Sequence, residues 1–263
     1  MAQRILRPMG YVDLLDETFD LYRRNFLLFF GIAAVVLIPM SLVTYALGEF
    51  AAVVSVILLI PLHYVVIAAA TWAVSQCYLG KKATIASSYQ AIARRAISFL
   101  LTMLLASIMI GFGFLLLIIP GVIFCFWYAF ISEVFIVEGK SYSGARNRSK
   151  ELAAGHWGRI FVVGCITILI TTIVQYVFTL PLAFVLGFGI GGDLGIGGMT
   201  GALYGLVEGL ASALSTPILV IAFVLLYYDI RVRKEGFDLQ LLAENLGETP
   251  ESPVALQEEV RPL

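Results

Sequence analysis

Residues 96–137 read AISFLLTMLLASIMIGFGFLLLIIPGVIFCFWYAFISEVFIV, and Glu133 is the one charged side chain among them. As a single α-helix this stretch would be about 60 Å long, which is about twice the thickness of the hydrocarbon core of a bilayer. The chain must therefore turn back within the stretch. We expect the turn at Pro120 and Gly121, because both residues interrupt helices.

Two further stretches, 26–80 and 160–230, are nearly as free of charge. The first contains a breaker at Gly48 and Glu49, and the second contains the glycine-rich segment 187–201. The whole chain is 60% apolar and 13% charged, with a mean hydropathy of +0.94. Soluble domains are about 45–50% apolar and about 25% charged. This composition excludes a water-soluble fold and predicts an all-α integral membrane protein.

The positions of the basic residues predict the topology. All 17 Lys and Arg residues lie outside the three apolar stretches, whereas the central turns carry only Glu49 and Asp193. Because basic residues stay on the cytoplasmic side, each stretch crosses the membrane an even number of times. We predict a multi-pass protein of the cell (inner) membrane with both termini in the cytoplasm. A re-entrant second stretch, which would not cross, is the alternative around Pro120.

The prediction is six transmembrane helices arranged as three hairpins, within a membrane domain of residues 1–236. The predicted spans are about 26–47, 51–79, 97–119, 121–138, 160–186 and 203–230. Residues 237–263 are expected to form a short cytoplasmic helix followed by an acidic disordered tail, because Glu and Pro dominate the end of the chain.

An amphipathic segment precedes each hairpin, and we expect it to lie along the cytoplasmic membrane surface. The first segment places five apolar residues on one helical face: Tyr11, Leu15, Phe19, Tyr22 and Phe26. The second and third segments end in or contain basic residues, which attract anionic headgroups. The predicted headgroup contacts are Arg94, Arg95, Arg146, Arg148 and Lys150.

Three polar side chains lie deep within the predicted spans. His63, Gln175 and Glu208 are about 24–35 Å along their helices from the nearest basic flank. If the hairpins converge, these residues line an outward-facing polar pocket, with Tyr64 and Tyr176 near its mouth. Ionisable groups at such depth are functional candidates. The alternative is that Glu208 lies at headgroup level and His63 makes a single satisfying hydrogen bond.

Glu133 lies about 10 Å inside the cytoplasmic edge. An acid at this depth is expected to pair with a nearby base, and Arg94 and Arg95 are the candidates.

The last span carries glycines four residues apart: Gly197, Gly201, Gly205 and Gly209. Residues four apart share one helix face, and a face without side chains lets another backbone approach closely. We expect Gly201, Gly205 and Gly209 to pack against another span of the same chain, with a dimer contact as the alternative.

The sequence predicts no catalytic residue, metal or cofactor. Cys77, Cys125 and Cys165 have no paired spacing and no neighbouring histidine, so they are expected to be small buried apolar residues. The net charge of −1 gives no reason to expect binding to nucleic acid.

Three segments resemble the membrane domain associated with glycerophosphoryl diester phosphodiesterases. They are YVDLLDETFDLYRRNFLLFFGI (11–32), GARNRSKELAAGHWGRIFVVG (144–164) and LLYYDIRVRKEGFDLQLLAE (225–244). In fused relatives the resemblance implies a separate soluble barrel with His-Arg and Glu-Asn pairs and a divalent metal. Here His63 and His156 stand in unrelated settings, and Glu244 with Asn245 lacks the rest of that constellation. We therefore carry no catalytic residue over.

Three functions compete. The sequence favours a non-catalytic anchor or scaffold that contacts anionic lipid and recruits a membrane or cytoplasmic protein. The second is a transporter or a lipid-handling protein with an outward-facing polar cavity. The third, an intramembrane enzyme, is disfavoured because hydrolysis requires a metal cluster or an activated nucleophile. The oligomeric state stays open.

Overall fold

The computed structural model describes residues 8–47, 59–189, 198–237 and 239. Within these ranges the secondary structure is helical, without a strand. The helices are α1 (Tyr11–Arg24), α2 (Phe26–Leu47), α3 (Ile60–Tyr78), α4 (Ile85–Ala93), α5 (Ala96–Leu116), α6 (Ile118–Trp127), α7 (Ile131–Glu133), α8 (Tyr142–Ala153), α9 (Trp157–Gly189) and α10 (Gly198–Glu235). A π-helical turn, Val134–Glu138, continues α7.

Six helical units of the described residues are long and apolar enough to cross a membrane. They are Phe26–Tyr45, Ile60–Tyr78, Ala96–Leu116, Ile118–Glu138, Trp157–Val185 and Thr200–Glu235. The predicted fold class, an all-α polytopic membrane protein, is confirmed. The predicted turn at Gly48 and Glu49 and the centre of the third turn, 190–197, lie outside the described residues.

The second hairpin turns at Leu117 rather than at Pro120 and Gly121. Leu117 is extended, with φ −164° and ψ 157°, and it separates α5 from α6. Pro120 lies in the first turn of α6, where its missing N–H removes no helical hydrogen bond. Gly121 serves the packing instead, because a Cβ at Gly113 would lie 3.0 Å from the Cα of Gly121. The two glycines let α5 and α6 approach closely.

The fourth span is broken in the middle. Its first part, α6, ends at Trp127, and α7 begins only at Ile131. The freed N–H of Phe130 donates to the Oγ of Ser149, a fully buried residue of α8, at 3.0 Å. The segment 127–131, WYAFI, contains neither glycine nor proline. A span that was predicted as one helix over 121–138 is therefore two helices joined by a turn that α8 supports.

Helix α10 forms the centre of the bundle. Tyr227 and Tyr228 are its largest fully buried side chains. Its glycine face packs against α2, since a Cβ at Gly209 would lie 2.8 Å from the Cα of Ile38 and one at Gly205 would lie 3.1 Å from the carbonyl oxygen of Ser41. Gly201 is buried at the start of the same face. The partner of this face is therefore a span of the same chain.

Helix α1 packs against the bundle through a face that differs from the predicted one. Leu14 and Thr18 are fully buried, whereas Tyr11 and Phe19 are 44% and 38% exposed. The helix has two apolar stripes, and the predicted face is the outward one, of which only Tyr22 is buried. Tyr11, Val12 and Phe19 are thus the large apolar residues of α1 that stay exposed.

Two anchors fix the direction of α1. At its start the N–H of Met9 donates to Asp229 Oδ1 at 2.7 Å, and near its end the hydroxyl of Tyr22 donates to the carbonyl of Leu214 at 2.9 Å. Asp229 and Leu214 are 15 residues apart on α10, a rise of about 22 Å. Helix α1 therefore runs alongside α10 as a packed part of the bundle, rather than only resting on a membrane surface.

Helix α4 is also tied to the bundle. Thr84 caps its first turn by accepting the Ser87 N–H at 3.1 Å, and the hydroxyl of Tyr89 donates to the carbonyl of Ile32 at 2.6 Å. At the other end of the chain, the ring of Phe237 stacks on Tyr228. The predicted acidic tail lies outside the described residues.

Candidate functional site: a polar cavity within the membrane domain

A cavity of about 510 Å³ lies between α3, α7, α9 and α10, beside the break in the fourth span. Ala129, in the break itself, lines it. Its volume falls within the range of small-molecule sites, about 300–1,000 Å³. The polar side chains that matter most are His63, Ser132, Glu133, Gln175, Ser212 and Ser215.

In the predicted topology, the depth of the residues that line the cavity can be counted along the chain from the basic flanks. Along the chain, Glu133 is about 10 Å from the basic flank at Lys140, whereas Gln175 is about 24 Å from Arg159. His63 is about 27 Å from Lys81. These depths extend across the central part of a hydrocarbon core about 30 Å thick. In that topology, a cavity lined by Glu133 as well as His63 and Gln175 would reach further towards the cytoplasmic side than the outer-half pocket that the sequence predicts.

Three of the five predicted pocket residues line the cavity: His63, Gln175 and Tyr176. The other two face neighbouring helices. The hydroxyl of Tyr64 lies 2.7 Å from Ser107 Oγ on α5. Glu208 hydrogen-bonds the side chain of Tyr45 on α2. Because successive residues of a helix point about 100° apart, Tyr64 diverges from His63, and Glu208 follows the glycine face.

Hydrogen bonds hold the wall between α9 and α10. Gln175 Nε2 donates to Ser212 Oγ at 3.4 Å, and Ser215 Oγ donates to Gln175 Oε1 at 3.3 Å. These contacts orient the Gln175 amide across the two helices. The cavity therefore has a preformed polar wall on this side.

Glu133 does not have the partner that the sequence predicted. Its side chain is buried, and its Oε2 accepts from the Oγ of Ser132 at 2.7 Å. Arg95 is exposed and donates to the carbonyl of Gly139 at 3.3 Å. The prediction of an ion pair with Arg94 or Arg95 was wrong, because the break in the span changes the direction in which Glu133 points. Glu133 lines the cavity instead.

A buried ionic cluster lies at the basic end of the bundle. Asp229, whose side chain is fully buried, lies 2.7 Å from Arg159 Nε and 3.0 Å from Arg233 Nε. Both arginines also donate to the carbonyl of Met9, at 2.6 and 2.7 Å. This cluster joins the start of α1, the start of α9 and the end of α10. The sequence does not reveal this cluster, because Asp229 looks like a local helix partner of Arg233.

A second cluster surrounds Glu138. It accepts from the hydroxyl of Tyr227 at 2.8 Å and pairs with Lys140 at 2.8 Å and Arg148 at 3.2 Å. Arg148 also pairs with Glu151 and Glu235. Burial lowers the pKa of Arg148, but hydrogen bonds and charges from Glu235 and Glu138 outweigh it, so the net shift is upward.

The five predicted headgroup residues have different surroundings. Arg94, Arg95, Arg146 and Lys150 are exposed. Arg148 is engaged by carboxylates within the protein, and the Nζ of Lys150 lies 3.9 Å from the centre of the Trp127 ring. The exposed arginines are thus the three whose charge faces outward.

Across the described ranges, no group of three or more His, Cys, Asp or Glu side chains is arranged to hold a metal ion. Cys77, Cys125 and Cys165 are free thiols. Cys125 and Cys165 are exposed rather than buried as the sequence suggested.

Comparisons of this chain with protein-family models, curated proteins and solved structures find no match. The resemblance to the phosphodiesterase-associated membrane domain therefore stays a prediction. The fold and the cavity define the class: a polytopic α-helical membrane protein with a polar cavity among its spans.

Proposed function

We propose that this protein binds a small polar or amphiphilic molecule in the cavity and moves it across the membrane. The observation that carries the proposal is a cavity of about 510 Å³ beside a broken span, lined by His63, Glu133 and Gln175. Transporters commonly place their substrate sites near the bilayer midplane at discontinuous helices.

The physical cost of this arrangement supports the proposal. Polar and ionisable groups within a bilayer are expensive, and backbone that leaves a helix there is tolerated only against protein or a water-filled cavity. A scaffold needs neither feature. An anchor would retain its function with an apolar packed centre, so the cavity favours the transporter over the anchor that the sequence alone favoured.

A second role, contact with anionic lipid, is favoured by one separate observation. Arg94, Arg95 and Arg146 are exposed at the end of the bundle that the positive-inside rule assigns to the cytoplasm. Replacing these three by Gln should weaken retention of phosphatidylglycerol over phosphatidylcholine in native mass spectrometry. Arg148→Gln is the matched control, because its charge is already paired internally. Equal retention by the triple variant and the native protein would remove this role.

Thiol labelling tests the transport proposal. In a chain with its three cysteines changed to alanine, Ser212→Cys reports on the cavity. Leu210→Cys is the control two residues away, a side chain that is 37% exposed on the outside of the same helix. Membrane vesicles of both orientations are treated with membrane-impermeant methanethiosulfonates.

The proposal predicts that Ser212→Cys reacts from both sides of the membrane, because a transporter opens its site to each side in turn. Leu210→Cys should stay unreactive, because it faces lipid. If Ser212→Cys is as inert as Leu210→Cys from both sides, the cavity is closed to water and the proposal fails.

A further inference from the structure

Glu133 is an acid that has no basic partner in the described part of the chain. The residue is 3% exposed, and its carboxylate accepts hydrogen bonds from the Ser132 hydroxyl and from its own backbone N–H. No basic side chain among the described residues forms an ion pair with it. A buried carboxylate normally has a cation or several hydrogen-bond donors, because an unpaired charge in a low-dielectric interior is costly.

The surroundings of Glu133 suit a positive ligand. Tyr176 and Phe223 also line the cavity. Aromatic faces attract cations, and this attraction strengthens where water is excluded. The titratable side chains that line the cavity besides Glu133 are Tyr176 and His63. A neutral imidazole carries no charge that would repel a cation.

We propose that the cavity selects organic cations, of the ammonium class, and that the Glu133 carboxylate is their counter-charge. This inference rests on the proposed function and names the chemical class of its ligand. The volume of about 510 Å³ accommodates a ligand larger than a bare metal ion. His63 in its positive form would instead favour an anion, and the experiment separates the two.

The test compares two thiol reagents of similar size and opposite charge on Ser212→Cys at pH 8.5. MTSET carries a quaternary ammonium and MTSES a sulfonate. Each rate is divided by the rate with free 2-mercaptoethanol, which removes the intrinsic difference between the reagents. A carboxylate in the cavity should give MTSET an advantage of at least about tenfold, since opposite charges attract and like charges repel at short range.

Two variants assign this advantage to Glu133. Glu133→Gln should abolish it, whereas Glu133→Asp, which keeps the charge, should retain most of it. Glu208→Gln is the matched control, because Glu208 is another acid within a span but does not line the cavity. It should leave the ratio unchanged. Benzyltrimethylammonium should slow labelling of Ser212→Cys, and benzenesulfonate should not.

The outcomes separate the two proposals. If Ser212→Cys reacts with neither reagent, the proposed function itself is contradicted. Reaction with both, without a preference for MTSET or with a preference for MTSES, overturns the cation proposal and leaves an open cavity. An equal MTSET advantage in Glu133→Gln also overturns it. If Glu133→Gln fails to fold, the ratio in the parent Ser212→Cys protein still decides whether the cavity prefers cations.

Discussion

Arg159 Nε lies 2.7 Å from Asp229 Oδ2, and this ion pair joins the start of α9 to the end of α10. The geometry is that of an ion pair rather than of an aligned hydrogen bond, because the Nε has no well-directed acceptor. The same carboxylate receives Arg233 and the N–H of Met9. Asp229 thus holds together three segments that are far apart in the chain.

We predict that Asp229→Asn strongly destabilises the protein. Removing one partner from a buried ionic cluster leaves the others uncompensated, at a cost of about 3–5 kcal/mol. Thermal unfolding in detergent measures this loss. Arg24→Gln is the control, because Arg24 and Asp20 form an exposed pair on α1. Such a pair contributes about 0–1 kcal/mol, so equal losses for the two variants would contradict the central role of Asp229.

Gly209→Ala should destabilise the contact between α2 and α10. The new methyl would lie 2.8 Å from Ile38 Cα and would clash with Ser41 Oγ, so the helices must separate. Overpacking of this kind costs about 1–3 kcal/mol. Gly111→Ala is the control, because a Cβ there meets nothing within 4 Å. The control should be neutral or stabilising in the same melting experiment; a neutral Gly209→Ala would show that α2 adapts freely.

Ser149→Ala should weaken the break in the fourth span. Without the hydroxyl, the N–H of Phe130 loses its acceptor in a buried setting, which costs about 1–3 kcal/mol. Ser143→Ala, at an exposed position of the same helix, is the control and should change the melting temperature little. A Ser149→Ala protein as stable as the control would mean that another group supports this turn.

Alkaline pH should destabilise the protein in part through Tyr89. Burial raises the pKa of Tyr89 to about 12, whereas the phenol of an unfolded chain ionises near 10. Between these values the unfolded state binds fewer protons, so stability falls as the pH rises from about 10 to about 12. The Tyr89→Phe variant should lose less stability over this interval than the native protein. An unchanged slope would contradict the assignment to Tyr89.

The sequence predicted the features that depend on composition and local periodicity. Six spans follow from apolar length, and the glycine spacing indicated the close contact of α10 that the structure shows against α2. The turn of the second hairpin was placed three residues late, because Pro120 was interpreted as the breaker although proline is tolerated in the first turn of a helix.

What the sequence did not predict depends on distant contacts. The segment around Ala129 contains no glycine or proline that would predict a break. The hydrogen bond that stabilises the break comes from Ser149, which lies in another helix. Glu133 was assigned a base in an adjacent segment because an unbroken helix was assumed. The partners of Asp229 are 220 and 70 residues away. No local pattern encodes such pairs, so the place of Glu133 in the cavity and the ionic clusters required the structure.

The most direct test of the whole account is the side of the membrane on which the polar connections lie. Lys82→Cys and Lys140→Cys, both at exposed positions, are introduced separately into the cysteine-free chain and labelled with an impermeant maleimide in vesicles of known orientation. Two crossings by residues 96–137 require both cysteines to react from the cytoplasmic side only. Reaction of one from the cytoplasm and the other from outside would contradict the six-span topology and, with it, the depth assigned to the cavity.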